Sequence, residues 1–331
     1  MTERYDSEIK ELIANTDFIL NQTFDISVSP NVKEFSNTFN FYRDTLTNAT
    51  KFGIESSYIF FYNDTSKNAK AGISKGYNII LIHSGLIISL IQNLLEKSEI
   101  DEIIKKTHPE VQKLLDNPAN ILIYQAAQHF TFYHELGHLI QKPENLKDFI
   151  SERPTESEKF DFLKHKLEFD ADTFSALNIA AHIHQYAFNI FGEKIDAEKV
   201  ESIIEIFCSG ILLYFLSFES FKDGIYYEEG SHPHPTIRML NVVFVITHYC
   251  RQSPRILERE ITINHLKIFE RTIDTAMKVE QEAFQTSKSS TFVKTLGEER
   301  KKLVDYYGKL RDYSPDGFIS AENRWNESLK K

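Results

Sequence analysis

The 331-residue chain has little cysteine, glycine or proline. Its two cysteines, Cys208 and Cys250, are too few for a disulfide framework, and their apolar neighbours predict reduced core residues that bind no metal. Twelve glycines and nine prolines supply few turns, and the chain contains no internal repeat or low-complexity tract. The composition therefore favours long helices, and the 41% of hydrophobic residues is enough to bury a large core.

Basic residues are fewer than acidic ones, 38 against 48. The net charge of −10 is spread along the chain without a basic stripe, so we expect no nucleic-acid partner. The first residues mix both signs of charge and do not have the basic start and apolar core of a secretion signal. Together with the cysteine usage, this predicts a cytoplasmic protein, whose oligomeric state the sequence does not indicate.

Long hydrophobic runs are also few. Residues 77–95 are uncharged, but they contain several polar side chains and their hydrophobic period changes at Gly85, which predicts a buried strand followed by a helix. Residues 206–218 are apolar over only 13 positions and lie between Glu205 and Glu219, which predicts a core helix. We therefore expect no membrane span.

The most informative segment that the chain does contain is His134-Glu135-Leu136-Gly137-His138, an HExxH pattern inside a helical stretch. Two histidines four positions apart share one helix face, so both imidazoles can reach one metal ion, while Glu135 faces a metal-bound water. The pattern also arises by chance, and the ordinary alternative is a surface helix with two solvated histidines. The surrounding sequence must decide between these interpretations.

A second helical pattern supplies carboxylates. Glu168 and Asp172 are four positions apart and share a face, whereas Asp170 points away from it. Glu168 is the candidate third metal ligand, and Asp172 is placed to accept a hydrogen bond from His134 or His138. A solvated acidic face is the alternative, but the apolar surroundings argue against it, and the small Ala171 would let this helix approach another closely.

The other zinc-peptidase geometry takes a histidine six positions after the second one as its third ligand. It fails here, because Gln141 and Glu144 stand where glycine and histidine are required, and Pro143 is expected to end the helix. The residues therefore predict a Zn²⁺ site made of two histidines, Glu168 and a water. Zinc would lower the pKa of that water towards about 7, and Glu135 would accept its proton during attack on a carbonyl.

A third segment reads Ser231-His232-Pro233-His234-Pro235 and leads to Arg238. With the HExxH and Glu168–Asp172 patterns, it makes the chain resemble the gluzincin peptidases, most closely the family of CAAX prenyl endopeptidases and heat-shock membrane zinc peptidases. That resemblance implies that His232 lies beside the zinc and hydrogen-bonds the developing oxyanion, and that Arg238 packs into the site. The weaker oxyanion candidates are His234, Tyr226 and Tyr227.

Upstream, Asn68-Ala69 and residues 77–87 are similar to the family's edge strand and the following helix start. The resemblance spans about residues 55–240 and implies a protein or peptide substrate bound as an extended strand. This chain departs from the membrane members because it has no convincing membrane span. A second resemblance is to the Lit-type phage-exclusion peptidase, a cytoplasmic HExxH enzyme that acts on a translation elongation factor.

We therefore predict a mainly α fold with a small β-sheet (α+β) whose edge lies over the metal, a zincin-like minimal gluzincin core with added helices. The predicted parts are an N-terminal helical segment (1–55), a catalytic domain (56–250) and a C-terminal helical extension (251–331). That extension either docks, caps the cleft, recognises a partner or forms a solvated helical tail. The hydrophobic periodicity predicts strands at Ser57–Tyr62 and Asn78–His83, and helices at Ser7–Gln22, Asn31–Thr50, Leu86–Lys97, Glu102–Leu115, Ala119–Gln141, Glu156–Phe191, Pro235–Tyr249 and Ile256–Thr286.

The predicted activity is that of a zinc-dependent endopeptidase. The remaining alternatives are a Lit-like peptidase in phage defence and a catalytically inactive zincin-fold module for binding or regulation. Among the other histidines, His165 lies three positions before Glu168 and could reach the site, whereas His129 lies off the ligand face and is expected to be structural. His182 and His184 are expected to be ordinary core or surface residues.

Overall fold

The computed structural model describes residues 2–141, 150–151, 160–218 and 224–330. Its fold is mainly helical with one small mixed sheet, which confirms the predicted class. The α-helices are α1 (Glu3–Asn15), α2 (Val32–Thr47), α3 (Ser84–Leu90), α4 (Ser98–Thr107), α5 (Pro109–Gln112), α6 (Ala119–Gln141), α7 (Phe162–Phe191), α8 (Ala197–Leu216), α9 (Pro235–Arg251), α10 (Pro254–Leu257), α11 (His265–Val279), α12 (Ser290–Asp312) and α13 (Ala321–Ser328). Shorter 3₁₀ or π-helical turns cover Leu20–Gln22, Ile26–Val28, Asn48–Phe52, Ile91–Leu95, Gly192–Lys194 and Glu280–Phe284.

The sheet has the strand order β1-β3-β2-β4. Its strands are β1 (Ser57–Tyr62), β2 (Ala69–Ser74), β3 (Tyr77–His83) and β4 (Ile150–Ser151). The central β3 pairs in parallel with β1 and antiparallel with β2, and β4 pairs antiparallel with β2 at Lys70 and Ala71. Because β2 also contacts α6, this side of the sheet lies next to the helix that carries the HExxH pattern.

The sequence analysis missed β2. Its residues, Ala-Lys-Ala-Gly-Ile-Ser, have little β propensity, and its pairing to β3 is what makes them a strand. A local signal was present in the Lys75-Gly76 turn, where both residues have positive φ (46° and 86°). A two-residue turn of this kind joins antiparallel strands, so Lys75-Gly76 before the predicted strand Asn78–His83 indicates a hairpin.

Helices α6, α7, α8 and α9 pack against one another and form the core around the candidate site. Two glycines allow the closest approaches. A Cβ on Gly137 of α6 would lie 3.1 Å from the Cα and 3.2 Å from the Cβ of Ala171 in α7, and one on Gly210 of α8 would lie 2.7 Å from the carbonyl oxygen of Ile123 in α6. The expectation that Ala171 permits a close helix approach is confirmed.

Several predicted helices are confirmed, and α6 and the end of α7 match their predicted bounds. The prediction Glu102–Leu115 was wrong as one helix, because Pro109, which has no backbone N–H, begins the separate helix α5. Ser7–Gln22 was also wrong at both ends, since α1 ends at Asn15 and the chain becomes extended at Thr16. The predicted helix start at Glu156 and the helix stop at Pro143 lie outside the described residues.

The predicted long helix Ile256–Thr286 was wrong as well. The chain forms α10, then passes through Glu260 at φ 54°, and begins α11 only after Asn264. The Asn264 side chain accepts hydrogen bonds from the backbone N–H groups of Leu266 and Lys267, which is a typical helix start. Two charged residues of α11, Lys267 and Arg271, bind glutamates of α8.

The described part of the C-terminal extension, residues 251–330, is docked onto the helical core. Helices α12 and α13 both pack against α7, and α13 also contacts α6. Trp325, the single tryptophan of the chain, is 7% exposed, and its ring lies beside those of Phe52 and Phe174. The interpretation as a solvated tail is therefore wrong for these helices.

Two further predictions concern the apolar runs and the cysteines. Residues 77–95 form β3, α3 and a π-helical turn, and residues 206–216 belong to the buried helix α8, as predicted. Cys208 and Cys250 are free and buried. Among the described residues, none of the helices combines the length and the apolar character needed to cross a membrane.

Candidate metal centre

Helix α6 brings the two HExxH histidines together in the core. His134 and His138 are both 0% exposed, and their Nε2 atoms are 3.1 Å apart. The side chain of Glu168 enters from α7, with carboxylate oxygens 3.1 Å from His134 Nε2 and 3.4 Å from His138 Nε2. Among the described residues, one ligand atom from each of these three side chains lies within 4.8 Å of the others, so the group could hold a metal ion.

The other nitrogen of each imidazole ring is engaged. His134 Nδ1 lies 2.9 Å from Oδ1 of Asp172, and His138 Nδ1 lies 3.0 Å from Oε1 of Gln141. Because both partners are oxygen acceptors, each Nδ1 donates its hydrogen, and the lone pair of a neutral ring stays on Nε2. This answers which histidine pairs with Asp172: it is His134.

Two Nε2 lone pairs therefore face each other beside a carboxylate. Such a group is stable only with positive charge among its atoms, supplied by a proton on a ring or by a bound cation. Burial alone would raise the pKa of Glu168, but the surrounding histidine rings, foremost His232, hold that pKa well below its ordinary value. Glu168 is thus a buried carboxylate, the form that binds a cation.

The carboxylate of Asp172 is shared between His134 and an arginine. Arg238 of α9 donates from Nε to Asp172 Oδ2 at 2.8 Å and from Nη2 to Oδ1 at 2.7 Å. Its guanidinium also lies over the ring of Phe215, 4.4 Å from the centroid. This bidentate pair fixes Asp172 and so fixes the His134 ring, and it brings Arg238 to the candidate site.

Glu135 follows His134 on α6 and is also 0% exposed. His232 reaches the group from the segment before α9: its Nε2 lies 3.3 Å from Glu168 Oε2, and its Nδ1 is 2.8 Å from Ser231 Oγ. His232 is thus adjacent to the candidate ligands, 3% exposed, with one ring nitrogen directed at them.

The weaker oxyanion candidates have other contacts. His234 is the N-cap of α9, where its Nδ1 accepts from the backbone N–H of Thr236, and burial lowers its pKa to about 3. Tyr227 donates its hydroxyl to Glu299 Oε2 of α12 at 2.8 Å. Tyr226 lies against the His234 ring, and burial raises its pKa to about 12. None of these contacts is with a candidate metal ligand.

His165 is held beside the site by two other contacts. Its Nε2 lies 3.2 Å from the carbonyl oxygen of Glu229, and its Nδ1 is 2.8 Å from the hydroxyl of Tyr306 in α12. Since a carbonyl oxygen only accepts, Nε2 carries the hydrogen and the Tyr306 hydroxyl donates to Nδ1. His165 is therefore a link to the C-terminal extension.

The remaining predicted histidines lie elsewhere. His129 stacks on the ring of Phe41 with centroids 3.9 Å apart, in agreement with a structural role. His182 Nε2 is 2.8 Å from the hydroxyl of Tyr133, and His184 Nε2 is 2.6 Å from Ser253 Oγ.

Sequence reasoning missed Gln141 and the part played by Asp170. Gln141 was seen only as the residue that excludes a histidine ligand, yet its amide oxygen is the acceptor for His138 Nδ1. Asp170 points away from the ligands as predicted, but Gln141 Nε2 donates to it at 2.9 Å. The position of Gln141, three after His138 on the same helix, was the available signal for the first contact.

Comparisons with known proteins find no match for this chain among family models, curated proteins or solved structures.

Proposed function

We propose that this protein is a zinc-dependent endopeptidase. The observation that carries the proposal is the convergence of the ligand atoms of His134, His138 and Glu168 within 4.8 Å, with Glu135 buried directly after His134 on α6. Two imidazoles and one carboxylate are a donor set of catalytic zinc enzymes, whereas structural zinc sites close the fourth position with another protein ligand. We extend the proposal to a zincin-like core and a cytoplasmic location.

The spacing of the donors supports zinc as the metal. Zinc–nitrogen bonds of about 2.0–2.1 Å in tetrahedral geometry separate two ligand atoms by roughly 3.3 Å. The separations among the three side chains are 3.1, 3.1 and 3.4 Å. Because each Nδ1 donates its hydrogen to Asp172 or Gln141, the lone pair of each imidazole lies on Nε2, and the two histidines need no rearrangement to bind zinc.

When bound, zinc would lower the pKa of a coordinated water towards about 7 and polarise the scissile carbonyl. Glu135 takes the proton from the attacking water on its carboxylate and passes it to the nitrogen of the leaving amine. His232 donates from Nε2 to the oxygen on which negative charge develops. Arg238 holds Asp172, which keeps the His134 ring in place throughout.

The substrate is a protein or peptide bound as an extended strand beside β2. The resemblance placed the edge strand at residues 77–83, but that strand, β3, lies between β1 and β2 in the sheet. Strand β2 lies outside β3, and it already pairs with β4 at Lys70 and Ala71. A peptide strand therefore has to add along the rest of β2 or displace β4. The backbone polar groups of the strand would give affinity, and side-chain pockets would give specificity.

Because the site is buried, a peptide substrate can reach it only after a conformational change. His134, Glu135 and His138 are 0% exposed, so a peptide carbonyl reaches them only after part of the covering chain moves. A cytoplasmic protease of loose specificity would be harmful, so we expect such an enzyme to be latent or narrowly specific, and the burial fits that expectation. The same burial favours the second candidate function, a binding module with a structural metal ion, and Glu135 distinguishes the two because only hydrolysis requires its carboxylate.

Replacing Glu135 by Gln tests the proposal. We expect the variant to keep its zinc and to lose about 10²- to 10⁴-fold in peptide cleavage, since the general base is removed and the ligands remain. The measurement is the appearance of new protein N-termini in a cell lysate incubated with each variant. Glu110→Gln is the matched control, because Glu110 is exposed and pairs only with Lys113 among the described ion pairs.

Cleavage products that are common to the wild type and Glu110→Gln, but absent with Glu135→Gln, would support an endopeptidase. If Glu135→Gln and the wild type produce the same N-termini, the catalytic assignment is wrong.

A further inference from the structure

A chain of hydrogen bonds runs from His138 to the C-terminal extension. His138 Nδ1 donates to Gln141 Oε1 at 3.0 Å, and Gln141 Nε2 donates to Asp170 Oδ2 at 2.9 Å. Asp170 also accepts from Ser320 Oγ at 2.6 Å and from the backbone N–H of Ala321 at 2.7 Å. The contacts that orient one candidate metal ligand thus end at the first residue of α13.

The amide of Gln141 has one satisfactory orientation. Gln141 is 2% exposed, and its Nε2 donates to the backbone carbonyl of Leu167 at 2.8 Å as well as to Asp170. A flipped amide would direct its oxygen at two acceptors and its hydrogens at His138 Nδ1. The carboxylate of Asp170 and the Leu167 carbonyl therefore fix Gln141, which in turn fixes the His138 tautomer.

Helix α7 connects the extension and the metal centre. On one face, Lys166 Nζ donates to backbone carbonyls in the last turn of α12, and Asp170 accepts from the start of α13. A cation at a helix C-terminus and an anion at a helix N-terminus are both favourable placements. Glu168 and Asp172 belong to the other face of the same helix, so docking of the extension and metal binding act on one rigid element.

Apolar packing seats α13 independently of this polar chain. The ring of Trp325 lies with its centroid 6.4 Å from that of Phe52 and 6.2 Å from that of Phe174. Trp325 is 7% exposed, so its contact area with the core is nearly all buried. Docking of α13 can therefore be weakened without touching Asp170 or Gln141.

We propose that Gln141 and Asp170 are positioning residues through which docking of α13 sets the orientation of His138 and hence the affinity for zinc. The inference rests on the proposed zinc site. When α13 is undocked, the Asp170 carboxylate loses the donors Ser320 and Ala321 and is free to turn away from Gln141. The Gln141 amide is then held by the Leu167 carbonyl alone, and the His138 ring more often populates the tautomer whose Nε2 carries a hydrogen and cannot bind a metal.

Zinc affinity, measured by competition with a chromophoric chelator at neutral pH, tests this proposal. We expect Gln141→Leu and Asp170→Ala each to bind zinc about 10- to 100-fold more weakly than the wild type, the usual effect of removing a partner of a metal ligand. Because both residues act through the same series of hydrogen bonds, the double variant should bind zinc no more weakly than Gln141→Leu alone. Trp325→Ala should also weaken zinc binding, although it changes no polar group.

Two controls separate positioning from general destabilisation. Leu12→Ala removes a buried side chain of α1, far along the chain from α7, and should lower the stability of the metal-free protein without changing zinc affinity. Asp170→Asn keeps an oxygen that accepts from Gln141 and Ala321 and a group that meets Ser320, so it should restore most of the affinity lost in Asp170→Ala. Circular dichroism in chelator establishes that each variant folds.

The proposal is overturned if Gln141→Leu loses zinc affinity but Asp170→Ala and Trp325→Ala bind zinc as tightly as the wild type. The residues that orient His138 would then end at Gln141. Additive losses in the double variant would overturn it too. If the wild type itself binds no zinc, the proposed function falls together with this inference. Zinc binding by the wild type without these effects leaves the proposed function standing and removes this inference alone.

Discussion

His165 connects helix α7 to the C-terminal extension and makes stability depend on pH. Burial lowers its pKa to about 4, and its Nδ1 must stay unprotonated to accept from Tyr306. The unfolded chain has a histidine pKa of about 6.5, so between that value and about 4 the unfolded state binds the extra proton. The stabilising effect is therefore fully present above pH 6.5 and is lost as the pH falls towards 4.

Replacing His165 by Gln should flatten this pH dependence. Removing the group takes away about 1.4 kcal/mol per pH unit from the slope of unfolding free energy within that window, even if the variant is less stable at every pH. Urea unfolding in chelator at several pH values measures the slope. A variant slope equal to that of the wild type would show that His165 titrates normally in the folded protein. His129, whose pKa burial also lowers, to about 3, contributes to both slopes alike.

The positions of the site residues along the chain explain which of them the sequence could predict. His134, Glu135 and His138 share a helix, and Glu168 and Asp172 share another, so spacing alone placed each set on one face. The role of Asp170 depends on Ser320, 150 positions away, and no local pattern reveals such a partner. Tyr306, the partner of His165, was missed for the same reason.

The contact between α6 and α7 depends on the absence of a side chain at Gly137. Replacing it by Ala places a methyl group 3.1 Å from the backbone of Ala171, so the two helices must move apart. We expect overpacking to cost about 1–3 kcal/mol and the better helix propensity of Ala to return roughly 1 kcal/mol, so the variant should lose up to about 2 kcal/mol of stability. Since the two helices carry the ligands, zinc affinity should fall as well, as measured by chelator competition.

Gly210→Ala is the matched control for this prediction. Its new Cβ would meet the Ile123 carbonyl at 2.7 Å, which disturbs the contact between α8 and the first half of α6. This variant should lose stability and keep its zinc affinity. An unchanged zinc affinity in Gly137→Ala would show that the helix spacing does not control the ligand geometry.

Helices and strands were predictable where a strong hydrophobic periodicity ends at clear boundary residues. Helix α6 and strands β1 and β3 fit that description. The single helix predicted for residues 256–286 was wrong because the apolar positions are periodic across Ile261 and Ile263. The helix start at Asn264 is nevertheless an ordinary cap that the sequence contains. Strand β2 was not predicted because its pairing with β3, rather than the β propensity of its residues, makes it a strand.

For the whole molecule, burial of the ligands predicts how zinc leaves. His134 and His138 are 0% exposed and Glu168 is 3% exposed, so a chelator does not reach them in the folded protein and release has to wait for an opening of the structure. The release rate should become independent of chelator concentration, and the plateau should rise in urea concentrations below the unfolding transition. Transfer to a chromophoric chelator measures this rate. A rate that grows in proportion to chelator concentration would mean that the site is open to solvent in the folded protein.

The arrangement of the C-terminal extension could not be read from the sequence. Its charged helices looked suited to solvent, but Lys166, Tyr227 and His165 provide partners from the part of the chain that precedes α9. Such contacts arise only when the whole chain is folded. The predicted domain bounds at 55 and 250 remain predictions.

The central claim is that His134, His138 and Glu168 bind zinc, and elemental analysis tests it most directly. The wild type and Glu168→Ala are purified in parallel without added metal, and the zinc content of each is compared with its protein content. The account predicts near-stoichiometric zinc in the wild type and a clear loss in Glu168→Ala. Little zinc in the wild type, even after reconstitution at neutral pH, would contradict it.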